Sequence, residues 1–328
     1  MRKCNHSTEV FLLSIAYGYV PSRRLGRSLG INNIPPKICS YSCIYCQLGL
    51  TLDITMERQG FYKPEKIFKV VEKKVEELLS KYEIIDYLTF VSDGEPTLDI
   101  NLGKEIALLK NMGIPIAVLT NASLIWLDHV REDLSEADVV SLKVDSVSED
   151  VWKRVNRPHK DLNLTVVLEG MANFVKEFNG KVISETMLID GVNYGDEIKK
   201  IAKFLCSLKK LYKAYIAIPT RPPMENWVYP AKKEVINTAV RIFSTELGKN
   251  RVECLVGDEG NAFASTGNLE KDLLSITAVH PMREKAVKSF LQNANADWQN
   301  IEKLLHEDKL RKIEYEGNIY YTRTLKTK

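Results

Sequence analysis

The chain has 328 residues, 45% apolar and 27% charged, values ordinary for a globular protein with one large α/β domain and a smaller one beside it. A net charge of +3 is too mild to indicate a nucleic-acid partner by itself, and no stretch approaches the ~18 uncharged apolar residues of a membrane-spanning helix.

The opening segment, MRKCNHSTEVFLLSIAYGYV, begins with basic groups and holds a short apolar run. Polar residues and glycine interrupt the run and no small-residue cleavage site follows, so residues 10–16 read as a first buried strand and the protein as cytoplasmic. Residues 1–63 are rich in cations (Arg2, Lys3, Arg23, Arg24, Arg27, Lys37, Arg58 and Lys63) against only Glu9, Asp53 and Glu57. That bias reads either as a solvated face or as a site for an anion: a carboxylate, a phosphate or RNA.

From there strands and helices alternate. Residues 64–82 set Ile67, Val70, Val71, Val75, Leu78 and Leu79 at helical spacing. IDYLTFVSDGEP reads as a strand, NLGKEIALLKNMG as a helix ending at Gly113, and IPIAVLTNAS as a strand with a polar exit. Helix, strand, helix, strand, helix, strand and helix follow, up to residue 248. Such repetition predicts a parallel sheet covered by helices. The polar residues gather at strand ends: 93–96, Asn121 and Ser123, Lys143 and Asp145, Glu185, and 220–223. In parallel α/β folds those ends form the binding face. About six repeats predict a partial, TIM-like (β/α)6 barrel open at one side. Residues 257–268, rich in small and polar residues, read as a linker between domains at 1–256 and 269–328. The last segment predicts three short helices, one with Asp297 as a candidate N-cap, then a hairpin turning at Gly317-Asn318. That is a winged-helix pattern, and Lys309, Arg311, Lys312, Arg323, Lys326 and Lys328 bias its end positive. It reads equally as an RNA-binding module and as a protein-contact or intramolecular lid. Tyr315, Tyr320 and Tyr321 read as hairpin packing.

There are six cysteines, and three of them fall within eight positions: Cys39, Cys43 and Cys46 in KICSYSCIYCQLG. This is no disulfide framework; it indicates a metal site in a reducing compartment. Three thiolates on one loop can each hold one iron of a cubane, leaving the fourth iron open to a small molecule. Structural zinc wants four ligands, and neither a nearby His nor a second CxxC supplies the fourth. Cys206 lies on an apolar helical face and Cys254 in a buried strand. A second cluster built from these two and Cys4 is an alternative.

The Cys-x3-Cys-x2-Cys spacing, with Tyr45 before the last cysteine, resembles the radical S-adenosylmethionine (SAM) superfamily over about residues 25–220. The resemblance implies a 4Fe–4S cluster on Cys39, Cys43 and Cys46, SAM on the open iron, and reductive cleavage to a 5′-deoxyadenosyl radical that abstracts hydrogen from a substrate. It implies a reducing donor of flavodoxin or ferredoxin type. Gly94-Glu95-Pro96 resembles the family's SAM-binding "GGE" element, with Asp93 where the first glycine often sits. Asn121 and Ser123 are candidates for the SAM carboxylate or ribose, Lys143 and Asp145 for the barrel mouth or a mutual ion pair, and Glu185 for ribose hydroxyls. PSRRLGRSLGIN, the CQLG ending of the cysteine loop and Arg221-Pro222-Pro223 resemble the iron–sulfur oxidoreductases grouped with wybutosine-type tRNA-modifying enzymes. Arg23, Arg24, Arg27 and Arg221 are the candidates for an anionic substrate group. The implied substrate is RNA, with a small metabolite or peptide as one alternative and a winged-helix regulator with a structural cluster or zinc as another.

Overall fold

The structure, a computed structural model, describes residues 15–324 except 258, 259, 261, 262, 264 and 266. Cys4, Lys326, Lys328 and most of the expected first strand lie outside the described residues. Among the described residues the main sheet has eight strands. It opens with β1 (Ala16–Ser22) and β2 (Gly26–Ile31), which pair antiparallel as a hairpin. The Ser22 hydroxyl accepts from the amides of Arg24 and Leu25 and so shapes the turn. β5 (Tyr87–Phe90), β6 (Ile116–Thr120), β7 (Val139–Lys143), β8 (Lys181–Met187), β9 (Leu211–Ala217) and β10 (Val252–Leu255) then add in chain order, all parallel. The short strands β3 (Ile38–Cys39) and β4 (Asp53–Ile54) pair apart from this sheet.

The fold is thus the open, TIM-like α/β sheet that the alternation predicts: six parallel strands, β2 and β5 to β9, are each followed by helix, and β10, the strand of Cys254, adds a further parallel strand at the edge. Helices α1 (Pro64–Leu79), α2 (Leu102–Leu109), α3 (Asp128–Ser135), α4 (Glu149–Val155), α5 (Leu164–Glu177), α6 (Glu197–Ser207) and α7 (Lys233–Leu247) connect the strands. α1 starts with proline at its first turn and buries Ile67, Val71, Val75 and Leu78. Gly113 closes the turn after α2 at φ +69°, the left-handed cap that glycine allows. α4 is missing from the sequence reading because it is only seven residues long.

Side-chain alternation along the strands fixes what faces where. Ile116, Val118, Val140, Leu142, Val182, Ala214 and Ile216 join the large core under the helices, whereas Ala117, Val139, Ile183, Tyr215 and Ala217 face the inside of the curved sheet. That inner row continues toward the C-terminal strand ends through Leu119, Ser141, Lys143, Glu185 and Met187.

The last segment has its own core, built on α8 (Leu269–Val279), β11 (Met282–Arg283), α9 (Glu284–Asn293), α10 (Gln299–His306), β12 (Leu310–Tyr315) and β13 (Asn318–Arg323), with sheet order β11-β13-β12. Tyr315 pairs with Asn318, so the two-residue turn is Glu316-Gly317 at φ +50° and +66°, one position earlier than expected. Asp297 still accepts from the Gln299 amide, but it stands one residue before the N-cap position, which Trp298 fills.

This C-terminal unit docks on the strand ends of the barrel. Val20 packs into its core. The hydroxyl of Tyr315 donates to the carbonyls of Pro219 and Val228, and that of Tyr320 donates to Thr220 O at 2.7 Å. Lys74 of α1 meets Asp272 of α8 at 2.7 Å, both side chains almost fully buried. Removing one partner of such a pair takes the opposite charge away from a buried ion. Lys74→Met is expected to lower stability by about 3 kcal/mol in denaturant unfolding; a loss below the surface-pair range would show that the pair does not hold the unit.

A second expectation concerns Glu105 of α2, fully buried beside Asp99. Burial first, and then the Asp99 charge, push its carboxyl far above the usual range. An acid whose folded pKa lies above its unfolded value loses stability as pH rises from the unfolded value toward the folded one. Glu105→Gln should therefore raise thermal stability more at pH 8 than at pH 4, read by melting at both.

Candidate functional site

The cysteine loop has little regular structure and is held by its neighbours. Within it, the Cys46 amide donates to Cys43 O at 3.0 Å and the Gly49 amide to Cys46 O at 3.1 Å. β4 returns beside β3, with Ile54 opposite Cys39. The amides of Ser42 and Ile44 donate to the carbonyls of Asn156 and Val155, where α4 ends and carbonyls lack helical partners. The exit of β5 is stitched to β3 as well: Glu95 N donates to Ile38 O at 3.1 Å. A β-carbon on Gly94 would sit 1.9 Å from that carbonyl, so only glycine fits.

Two asparagine amides point at cysteine sulfurs. Asn121 Nδ2 lies 3.5 Å from Cys39 Sγ and Asn156 Nδ2 3.5 Å from Cys43 Sγ. Asn121 also donates to Ser40 Oγ, which shares a hydrogen bond with Ser123 Oγ. Asn156 also donates to Asp145 Oδ2 at 2.7 Å, and the same carboxylate oxygen accepts from the Tyr45 hydroxyl. Asn156 is absent from the sequence reading. Its signal was the Ser148-Glu149-Asp150 start of α4, a helix-opening pattern that places Asn156 just beyond the last turn.

A cavity of about 320 Å³ opens beside this loop at the strand ends. Arg23, Arg24, Tyr45, Cys46, Asn121, Lys143, Glu185 and Arg221 line it. Lys143 and Glu185 are direct cross-strand partners on β7 and β8 and form an ion pair, with Arg24 adding a second contact to Glu185 at 2.5 Å. Burial alone would raise the Glu185 carboxyl, but Arg24 and Lys143 outweigh it and hold it down at about 2. The Lys143 ammonium stands 4.9 Å from the centre of the Tyr45 ring.

The structure does not bring every expected residue to the cavity. Lys143 pairs with Glu185 and not with Asp145, whose other oxygen accepts from the Met187 amide. Glu95, Pro96 and Ser123 are buried and Gly94 is half-buried, and none of the four lines the cavity. Glu95 spends its carboxylate on Thr97, on the Thr120 hydroxyl and on the Asn121 amide at 2.7 Å, tying β5 to β6 and aiming Asn121. Arg27 is at the opposite end of β2 in a two-pronged pair with Asp86. Arg58 pairs with Asp133 and Lys37 with Asp93, so of the N-terminal cations among the described residues only Arg23 and Arg24 line the cavity. Cys206 donates to Glu246 O on the outer helices and Cys254 lies in β10, both away from the loop.

The donor set fits an iron–sulfur cluster. Burial, then neighbouring carboxylates and thiols, push the thiols of Cys39 and Cys43 up, Cys43 to about 12, while Lys37 tempers the rise at Cys46. Binding to iron would displace these protons, leaving thiolates as the ligands.

A family profile described as the radical SAM superfamily matches residues 33–205. UPF0026 protein MJ1312 of Methanocaldococcus jannaschii is 50% identical over 317 residues, 96% of this chain and 98% of that protein. UPF0026 protein slr1464 of Synechocystis sp. is 36% identical over 208 residues, 63% of this chain and 76% of the relative. Among solved structures, a radical SAM methyltransferase from Sphaerobacter thermophilus aligns with a TM-score of 0.51 at 15% identity, covering 70% of this chain and 66% of that one. A structure of TYW1 with a lysine-pyruvate adduct bound aligns at 0.50 and 16% identity, covering 74% and 82%. At those identities the likeness is one of fold. The profile, which spans more than half of the chain, and the full-length relative together settle the family: this chain is an enzyme of the radical SAM superfamily, in its UPF0026 group, with a 4Fe–4S cluster and S-adenosylmethionine as cofactors.

Proposed function

We propose that the cavity beside the cysteine loop is where SAM is cleaved and where the reacting part of a substrate is presented. The observation that carries this reading is the placement of Cys46 and Tyr45 on the rim of a cavity otherwise walled by strand-end polar groups. When bound, the cluster supplies the electron for reductive cleavage of SAM and so a radical able to take a hydrogen atom from a substrate C–H. Cys39, Cys43 and Cys46 would hold it. Asn121, Lys143, Glu185 and Arg24 would hold SAM: Glu185, kept ionised by Arg24 and Lys143, would accept from ribose hydroxyls, and the cations would meet the carboxylate. The protein's part in the chemistry is placement and exclusion of stray hydrogen donors.

The reacting group is small, because a cavity of about 320 Å³ has SAM as its first occupant. A metabolite, or one residue of a larger molecule turned into the cavity, meets that limit. We read the C-terminal unit as a winged helix docked against the strand ends of its own chain, since Tyr315, Tyr320 and Tyr321 are buried in packing and α10 carries mixed charge. RNA as substrate is the second reading; Arg311 and Lys312, exposed on β12, favour it.

Anaerobic protein reconstituted with iron and sulfide, then given dithionite and SAM, is expected to yield 5′-deoxyadenosine, with Cys43→Ala yielding none. A wild-type protein holding about four irons that makes no deoxyadenosine would overturn the reading. Glu185→Gln should weaken SAM binding about tenfold, the range for loss of a charged hydrogen-bond acceptor, read as the shift of the reduced-cluster spectrum against SAM concentration. Adding a small-molecule extract should raise deoxyadenosine output above the substrate-free rate; a rise with purified RNA alone would favour the second reading.

A further inference from the structure

Three features that the functional reading leaves without a role meet at one side chain. They are the glutamine of CQLG, the arginine of the Arg-Pro-Pro turn after β9, and the C-terminal end of α8. Gln47 Nε2 donates to Val279 O at 2.9 Å, and Gln47 Oε1 accepts from Arg221 at 2.8 Å. Val279 is the last residue of α8, where carbonyls have no helical partner and the helix dipole is negative. Arg221 brings a half-buried positive charge to the other side of the same amide.

We infer that Gln47 is a positioning residue, a latch that fixes Cys46 by spanning Arg221 on the barrel and Val279 on the C-terminal unit. The inference rests on the cysteine loop being the cluster site. Cys39 and Cys43 receive amide N–H groups at their sulfurs, from Asn121 and Asn156. Cys46 takes the backbone amide of Leu48 at its sulfur, and the side chain of the residue between them ties this turn to the rest of the fold. Both anchors are themselves held. Thr220, beside Arg221, accepts from Tyr320 of the C-terminal unit, and Lys74 pins α8 through Asp272. The latch therefore closes a ring: loop, β9 exit, β13, α8 and back to the loop. Leu48, the next residue, lines the cavity, so any shift of the latch also reshapes the SAM wall.

A primary amide suits this place, because it donates on one side and accepts on the other without charge. Glutamate at 47 keeps the Arg221 partner and loses the donor to Val279. Alanine loses both. The two variants thus separate the contribution of the C-terminal unit from that of Arg221.

The test is thiol mapping in the anaerobic, iron-free full-length protein, by timed alkylation with N-ethylmaleimide and peptide mass spectrometry. In Gln47→Ala, Cys46 is expected to react about tenfold faster than in the wild type, the scale of one lost charge-assisted hydrogen bond, with Cys39 and Cys43 unchanged. Gln47→Glu should fall between the two. After reconstitution, the Ala variant should lose iron to a chelator several-fold faster than the wild type, a fold-change set by the same lost bond. An unchanged Cys46 rate, or an equal rise at all three cysteines, overturns the latch. A wild-type protein that takes up no iron would sink the cluster reading, and the Cys46 rates would still decide on the latch.

Discussion

A loop that must present three thiols to one cluster cannot rely on its own secondary structure. Between β3 and β4 this chain has only turns, so the backbone groups of the loop find partners outside it. The end of α4 takes the amides of Ser42 and Ile44, the exit of β5 takes the carbonyl of Ile38, and the exit of β6 takes Ser40 through Asn121 and Ser123. The cysteine geometry is therefore a property of the whole sheet. It holds only if β5, β6 and β7 end in the register they have, because each delivers its clamp at its C-terminal end.

The same register builds the electrostatics of the wall. Period-two alternation turns Ser141 and Lys143 inward on β7 and Ile183 and Glu185 inward on β8. The pairing of β7 with β8 sets Lys143 directly opposite Glu185, and the β1–β2 turn brings Arg24 to the same carboxylate. Two cations around one buried carboxylate leave net positive charge on the wall, suited to the carboxylate of an amino-acid-like ligand. The carboxylates that do not face the cavity are consumed elsewhere: Glu95 on backbone and hydroxyl donors, Asp145 on Tyr45, Asn156 and the Met187 amide.

The C-terminal unit joins this construction rather than hanging beside it. Its hairpin tyrosines hydrogen-bond to carbonyls at the β9 exit, its first helix is pinned by a buried ion pair, and its core accepts Val20 from β1. Aromatic residues with a polar tip suit such a contact, because the ring is buried while the hydroxyl satisfies a strand-end carbonyl. The charge bias at the end of the chain, suggestive of nucleic acid when read alone, coexists with this docked face.

How much was legible beforehand follows the range of each interaction. The cysteine spacing is local chemistry, and three thiols with no fourth ligand announced a cluster without any fold. The α/β alternation and the polar strand exits were legible because periodicity and turn residues are also local. The β1–β2 hairpin was not, since its arginines read as a solvated face or an anion site while Ser22 and Gly26 shape the turn. Asn156 was hidden because its helix is short and its function depends on Cys43 lying across space. Gly94 and Glu95 were singled out as ligands, yet whether they meet a ligand or the backbone of β3 depends on how closely β5 approaches it. By itself the sequence determined the metal chemistry, the fold class and the list of polar side chains at the strand ends. Only the tertiary structure decided which of those side chains face the cavity and which brace the loop, because that depends on strand register and on contacts between residues far apart in the chain.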